Sequence, residues 1–445
     1  MAIGINENCK KQISKRLEKL FEQYSNTQTD IQWIFKELQH IDNILPKHGH
    51  VYEKIRQYIG SYPWFTFIIS AISDKLKQGQ KISDKHLIYE SLGYNTSKDA
   101  AKAVVRQFDT LPFEYLFTFR LNEKLSSLLD SNKQQLHFSE SIWLANSSCP
   151  LVRQLKGIAK EDHSIFFQIR MPGFIPFSSN FFSPPTIHQA ISFFKSFIGI
   201  SFALGIFEVE SFYKIPQRVV NIANLFHIHR VDGEELSHCC DYPLSYGLTE
   251  LINRMVPGDR LKSFYGNEDK SQNTRSKMEF VNAIFFDLDM SNQYQIIKKL
   301  EKEKYEHIEY VKAILGLKNK LLSAAEWFVE SQIIESEAMA FVQAIIVLEI
   351  LYSGSDTKDF GIMKLIGNRL AYSIGKHSVE RDLILKRFEN LYETRSKIVH
   401  RGKKDLLIQE EQQLSELKEL CFKALLSEIN CLPTDWLKWI NKGCL

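Results

Sequence analysis

Val379-Glu380-Arg381-Asp382-Leu383-Ile384-Leu385-Lys386-Arg387-Phe388-Glu389-Asn390-Leu391-Tyr392-Glu393-Thr394-Arg395-Ser396-Lys397-Ile398-Val399-His400 contains no glycine or proline and ends two residues before Gly402. Steps of three and four residues along it pick out Ile384, Phe388, Leu391 and Ile398, the period of a helix with one face against a core. Ser378 is placed to cap this helix, Glu380 complements its positive end, and Gly402 is placed to stop it. The same spacing recurs over 325–334, 338–352, 362–374 and 406–432, with Gly354 and Gly375 as further stops. Residues 319–445 therefore read as an all-α bundle of four or five helices.

Upstream, the pattern divides again. Residues 1–109 read as a helical N-terminal domain, with Ile13, Leu17, Leu20 and Phe21, then Ile31, Trp33, Ile34 and Leu38, at helical spacing. Two short helical patterns over 82–108 flank Gly93-Tyr94-Asn95 and are expected to be two packed helices. Residues 110–318 change character and read as an α+β domain. The stretches 113–119, 136–144 and 165–171 are short, aromatic and partly alternating, as strands are. Loops are marked by Pro172-Gly173 and Pro176, and Pro184-Pro185 suits a helix start. Gly266 to Lys277 reads as a surface loop and 299–320 as a charged helix. The fold class is α+β overall and predominantly helical.

The chain has 445 residues, 44% hydrophobic and 24% charged, which fits a folded protein of two or three units. A net charge of +3 gives only a weak overall attraction to nucleic acid, so any basic surface must be local. Seven scattered cysteines do not resemble a disulfide framework, and the polar start with Lys10, Lys11, Lys15 and Arg16 is unlike a signal peptide. The most apolar window, 191–207, is interrupted by Lys195 and is shorter than the ~20 residues a membrane span needs. A cytoplasmic protein with no membrane partner is expected.

The helix quoted first carries an anomaly, because Arg395 falls on its apolar stripe. A guanidinium at a half-buried position needs a partner, and the almost wholly apolar stretch 341–351 offers Glu349. His400 lies in the last turn, with Lys397, Arg401, Lys403 and Lys404 around it, a cluster that would attract a phosphate backbone. At 3.6 residues per turn Arg395 and His400 stand about 140° apart, whereas Ser396 and His400 share a face. The two can meet on one substrate only at a frayed helix end, or if a second copy of the domain supplies the missing group.

Leu391-Tyr392-Glu393-Thr394-Arg395-Ser396-Lys397-Ile398-Val399-His400-Arg401-Gly402 resembles the signature of HEPN domains, in the ApeA-like branch associated with prokaryotic anti-phage defence. The resemblance extends to Ala344-Ile345-Ile346-Val347-Leu348-Glu349 and to Asn368-Arg369-Leu370-Ala371, and covers about the last quarter of the chain. It implies a homodimer in which two Arg-x4-His motifs meet and cleave RNA without metal or cofactor. Carried over, His400 would be the base for the ribose 2′-hydroxyl and Arg395 would stabilise the phosphorane. Ser396, Glu349 and Tyr392 would support them, and Lys397, Arg401, Lys403 and Lys404 would hold the RNA. Products would carry 2′,3′-cyclic phosphate and 5′-hydroxyl ends. A phage-derived activator sensed by the N-terminal region is a further implication. Many HEPN nucleases carry Asn or Asp where this chain has Ser396, which leaves the role of Ser396 open. The alternative is a non-catalytic module that binds RNA or nucleotide, or scaffolds an assembly, with the same basic surface.

Elsewhere, His227, His229, His238, Cys239 and Cys240 invite a zinc reading. Their spacing matches no familiar finger, and His-x-His in a strand puts both rings on one face by alternation alone, so a satisfied structural cluster is expected. Phe193, Phe194, Phe197, Phe202 and Phe207 are expected in the core. Arg254, Arg260, Lys262, Lys270, Arg275 and Lys277 read as a solvated basic face.

Overall fold

The computed structural model describes residues 2–23, 28–47, 49–60, 62–77, 87–129, 134–139, 141–155, 164–175, 184–209, 225–233, 235–257, 281, 284–285, 297–302, 308–353 and 361–433. Contacts divide the chain into two compact units. The first holds residues 1–117, 170–190 and 227–241, and the second holds 118–169, 191–226 and 242–445. The segment 110–318 thus contributes residues to both.

The first unit begins with α1 (Glu7–Phe21), α2 (Gln28–Asp42), α3 (His50–Tyr58), α4 (Pro63–Lys77), α5 (Ile88–Ser91) and α6 (Ser97–Thr110). Ile13, Leu17, Leu20 and Phe21 of α1 are all buried, as their spacing requires. Side-chain caps from Asn6 and Thr96 start α1 and α6. Trp64 of α4 stacks on Phe108 of α6 at a centroid distance of 4.1 Å in the middle of this core. The expected pair of helices around Gly93 is present as α5 and α6; residues 82–86 lie outside those described.

Asp42, at the end of α2, accepts the Trp64 amide at 3.1 Å through Oδ1, while its buried Oδ2 has no partner. Burial pushes this carboxyl up from 3.8 to about 7, against the lowering effect of the Trp64 amide. The folded chain therefore holds a proton that the unfolded chain has lost by pH 5, and stability should fall as pH rises from 4 to 7. The loss is at most roughly 4 kcal/mol, three units at about 1.4 kcal/mol each. Asp42→Asn should remove this dependence. Urea unfolding of both proteins at pH 4.5 and 7.5 checks it, and parallel pH profiles would refute it.

Eight strands are described: β1 (Phe113–Arg120), β2 (Gln135–His137), β3 (Ile142–Asn146), β4 (Ile165–Gly173), β5 (Phe207–Val209), β6 (Leu225–Asp232), β7 (Glu235–Pro243) and β8 (Met255–Pro257). Six form an antiparallel sheet in the order β2-β3-β4-β1-β6-β7, and β5 pairs with β8. The stretch 136–144 is not one strand but a hairpin, with Leu136 opposite Leu144. Short helices α7 (Pro150–Arg153) and α9 (Tyr246–Arg254) flank the long α8 (Pro185–Ala203), which starts at Pro185 as expected.

In the second unit Phe194 of α8 stacks on Phe119 at 4.3 Å, and Phe197 meets Phe167 at 4.5 Å. Phe194, Phe197, Phe202 and Phe207 are buried, so these four are core as expected, whereas Phe193 is only half-buried. No helix among the described residues is long and apolar enough to cross a membrane.

The C-terminal bundle, also in the second unit, comprises α10 (Ile308–Ile333), α11 (Glu337–Tyr352), α12 (Ile362–Ile374), α13 (Ser378–Arg401) and α14 (Ile408–Cys431). The expected charged helix 299–320 and the helix 325–334 are, from Ile308 onward, one continuous helix. The boundary expected at 318/319 falls inside it, and Lys318 is fully buried. A Cβ on Gly199 of α8 would lie 2.5 Å from the Ala325 carbonyl oxygen of α10. Only glycine permits that approach.

Gly402 closes α13 in the left-handed conformation, φ 64°. The N-cap of α13 is His377 rather than Ser378, because the His377 ring accepts the Glu380 amide at 3.3 Å and Ser378 is already helical. Gly375 ends α12 with an extended φ of −86°. The expected stop at Gly354 lies outside the described residues.

Candidate active site

Helix α13 positions the site. Ile384, Phe388, Leu391, Thr394 and Ile398 are buried along one side, which fixes the rotation of the helix. Arg395, one step beside Thr394, is held half-buried facing α11. Its Nη2 lies 3.6 Å from Glu349 Oε1, an ion pair too long for a hydrogen bond. Tyr392, one turn earlier, donates its hydroxyl to the same Glu349 oxygen at 3.4 Å, and Arg395 lies 5.6 Å from the Tyr392 ring centroid. Burial first, and the Glu349 charge next, push the Tyr392 phenol above its ordinary value, which keeps it a donor at neutral pH.

The guanidinium is therefore placed without being satisfied. Arg395 Nε is buried and has no hydrogen-bond partner. A donor left unmet away from water costs about 1–3 kcal/mol, a penalty that an incoming anionic oxygen would relieve. The expected meeting of Arg395 with Glu349 is present, and Tyr392 joins it.

His400 lies five residues beyond Arg395 on α13. It is exposed in the last turn of α13, and that helix continues unbroken to Arg401. No fraying brings it to Arg395, so within one chain the two remain on different faces, about 140° apart. Ser396 is half-buried one turn before His400.

Of the basic residues, Lys397 pairs with Glu393 at 2.9 Å. Lys403 pairs with Glu410. Burial raises the Glu410 carboxyl, but the Leu407 amide and the Lys403 ammonium outweigh it and hold the group below its ordinary value. Arg401 and Lys404 are exposed. The expected RNA-binding set is thus split into two neutralised and two open cations.

Three supports are not legible in the local sequence pattern. Arg369 Nη1 donates to the Tyr352 carbonyl at 2.8 Å, fixing the end of α11, the helix that presents Glu349. Tyr352 donates its hydroxyl to Ser373 at 2.9 Å, and Ser373 is linked to Ser427 and Glu428. Thr394 donates to Gln413 at 2.8 Å and ties α13 to α14.

Glu349→Gln tests the arrangement. The amide keeps an acceptor for Tyr392 but removes the charge that draws Arg395, so, if the bundle cleaves RNA as the resemblance implies, cleavage should fall by about tenfold, ~1.4 kcal/mol, with small loss of stability. Unchanged cleavage and unchanged melting together would show that the pair does nothing.

The other sequence candidates fare unevenly. His227 and His238 come together with Asp241, a residue that no pattern in the sequence singles out. Cys239 and Cys240 stand outside that group, and His229 is buried with neither ring nitrogen partnered, contrary to the expectation of a satisfied cluster. Arg254 pairs with Glu250 at 2.8 Å. Arg260, Lys262, Lys270, Arg275, Lys277, the loop 266–277 and Pro176 lie outside the described residues.

Comparison of the chain with family models, with curated proteins and with solved structures returned no match.

Proposed function

We propose that the chain is a metal-independent endoribonuclease of the HEPN type, acting as a homodimer through its C-terminal bundle in prokaryotic anti-phage defence. The observation that carries the reading is Arg395, oriented by Glu349 and Tyr392 yet left with a buried, unpartnered Nε, on the helix that ends in an exposed His400. A guanidinium with donors to spare suits a phosphate.

In the reaction His400 removes the proton of a ribose 2′-hydroxyl, and the 2′-oxygen attacks the adjacent phosphorus. Arg395 stabilises the charge on the phosphorane oxygens. The P–O5′ bond breaks and the departing oxygen takes up a proton, leaving a 2′,3′-cyclic phosphate and a 5′-hydroxyl. Arg401 and Lys404 would meet the RNA backbone.

A second copy supplies what one chain keeps apart. Val399, next to His400 in the chain, and Leu407 and Ile408, at the start of α14, are exposed apolar residues, the last 76% exposed. A partner bundle seated there would cover them and bring His400 of one protomer toward Arg395 of the other. A phage-derived activator acting on the N-terminal region belongs to the same proposal and rests on the resemblance alone.

The test is incubation of purified protein with total RNA in excess chelator, followed by analysis of the ends. Cyclic-phosphate ends made by wild type and not by His400→Ala support the enzyme. Cleavage that stops on adding chelator overturns this chemistry, and binding of RNA without cleavage favours the non-catalytic module.

A further inference from the structure

The hairpin of β6 and β7 carries a cluster that the nuclease reading does not use. His227 Nδ1 lies 2.7 Å from Asp241 Oδ1, and His238 Nε2 lies 3.0 Å from the same oxygen. One donor atom from each of the three residues lies within 4.8 Å of the others. His238 and Asp241 are three residues apart, which on a regular strand would send them to opposite faces. Their meeting means that the alternation is broken between them, as an extra residue in a bulge does. Such local irregularity re-aims side chains.

A second observation points the same way. His229 is 2% exposed, its ring centroid is 5.2 Å from that of His238, and neither of its nitrogens has a hydrogen-bond partner. An imidazole always presents one N–H donor when neutral, and burying its two nitrogens unmet costs about 1–3 kcal/mol for each.

We propose that His227, His238 and Asp241, beside the buried His229, form a site for a zinc-class divalent transition-metal ion. Imidazole nitrogens and one carboxylate oxygen are the donor set that such ions take at about 2.0–2.2 Å, whereas calcium and magnesium prefer oxygen alone. Tetrahedral ligands at those distances stand about 3.4 Å apart, so donors within 4.8 Å of one another need side-chain shifts of roughly an ångström to share one ion. The three donors come from both strands of one hairpin, His227 from β6 and His238 and Asp241 from β7, so the ion would fasten β6 to β7. Cys239 and Cys240 are not ligands.

The test uses the full chain and Zn²⁺ alone, and reads metal content rather than cleavage, so it stands apart from the nuclease reading. Wild-type protein stripped with chelator and then dialysed against micromolar Zn²⁺ should retain about one equivalent per chain. His238→Ala and Asp241→Asn should bind at least about tenfold more weakly. Retention of none by wild type, or equal retention by the variants, overturns the site. Should either variant fail to fold, Co²⁺ in the wild-type chain decides. Tetrahedral visible bands without a thiolate charge-transfer band support the nitrogen and oxygen ligands, and a thiolate band or no tetrahedral bands refutes them.

Discussion

Replacing His400 by alanine is expected to lower RNA cleavage by about 10²–10⁴-fold, the usual contribution of a positioned general base. Thermal unfolding should scarcely change, because the ring is exposed in the last turn of α13 and makes no described hydrogen bond within the chain. Substitutions at such positions shift stability by about 0.5 kcal/mol or less. The separation between a large kinetic effect and a negligible structural one is what distinguishes a base from a helix-end residue that merely complements the exposed carbonyls. Steady-state cleavage of a fluorogenic RNA, run beside a melting curve, gives both numbers from one preparation. An activity loss accompanied by a lower melting temperature would assign His400 a structural role instead. Equal cleavage by the two proteins would remove it from the reaction.

The bundle was legible because its helices obey one local rule. Ile384, Phe388, Leu391 and Ile398 recur at helical spacing and are all buried, so a charge falling on that stripe, Arg395, could be noticed and Glu349 named as its partner, although it is Thr394 that the fold buries there. Both facts follow from short-range periodicity on two long helices. The capping of α13 was harder: Ser378 has the better side chain by propensity, yet His377 takes the extended backbone and accepts the Glu380 amide. Which residue lies just outside the first turn is set by how the preceding loop arrives, and no local preference reports that.

The hairpin shows the opposite limit. Strict alternation along β6 and β7 pairs His227 with His229 and separates His238 from Asp241. The observed contacts of Asp241 with both His227 and His238 depend on a broken alternation that sequence periodicity cannot see. Arg369, likewise, enters the sequence analysis only as part of a resemblance, with no role, and only the fold brings its guanidinium to the end of α11.

Mixing Arg395→Ala chains with His400→Ala chains is expected to restore activity that neither variant has alone. The physical reason lies in the continuity of α13, which reaches Arg401 without fraying and so holds the two side chains on different faces of one helix. On the dimer reading each site takes His400 from one protomer and Arg395 from its partner. A heterodimer of the two variants then contains one site with both groups intact and one with neither. Random exchange makes half of all dimers mixed, and each mixed dimer has one working site of two, so recovery should reach about a quarter of the wild-type rate. Recovery should require time or mild denaturant to exchange subunits, and a mixture assayed before exchange should stay inactive. If exchange is verified by differently tagged chains and cleavage remains absent, Arg395 and His400 act from the same protomer. The unbroken helix would then have to open at its C-terminal end in the complex with RNA, and the substitution Gly402→Ala, which disfavours the left-handed turn that closes it, becomes the informative variant.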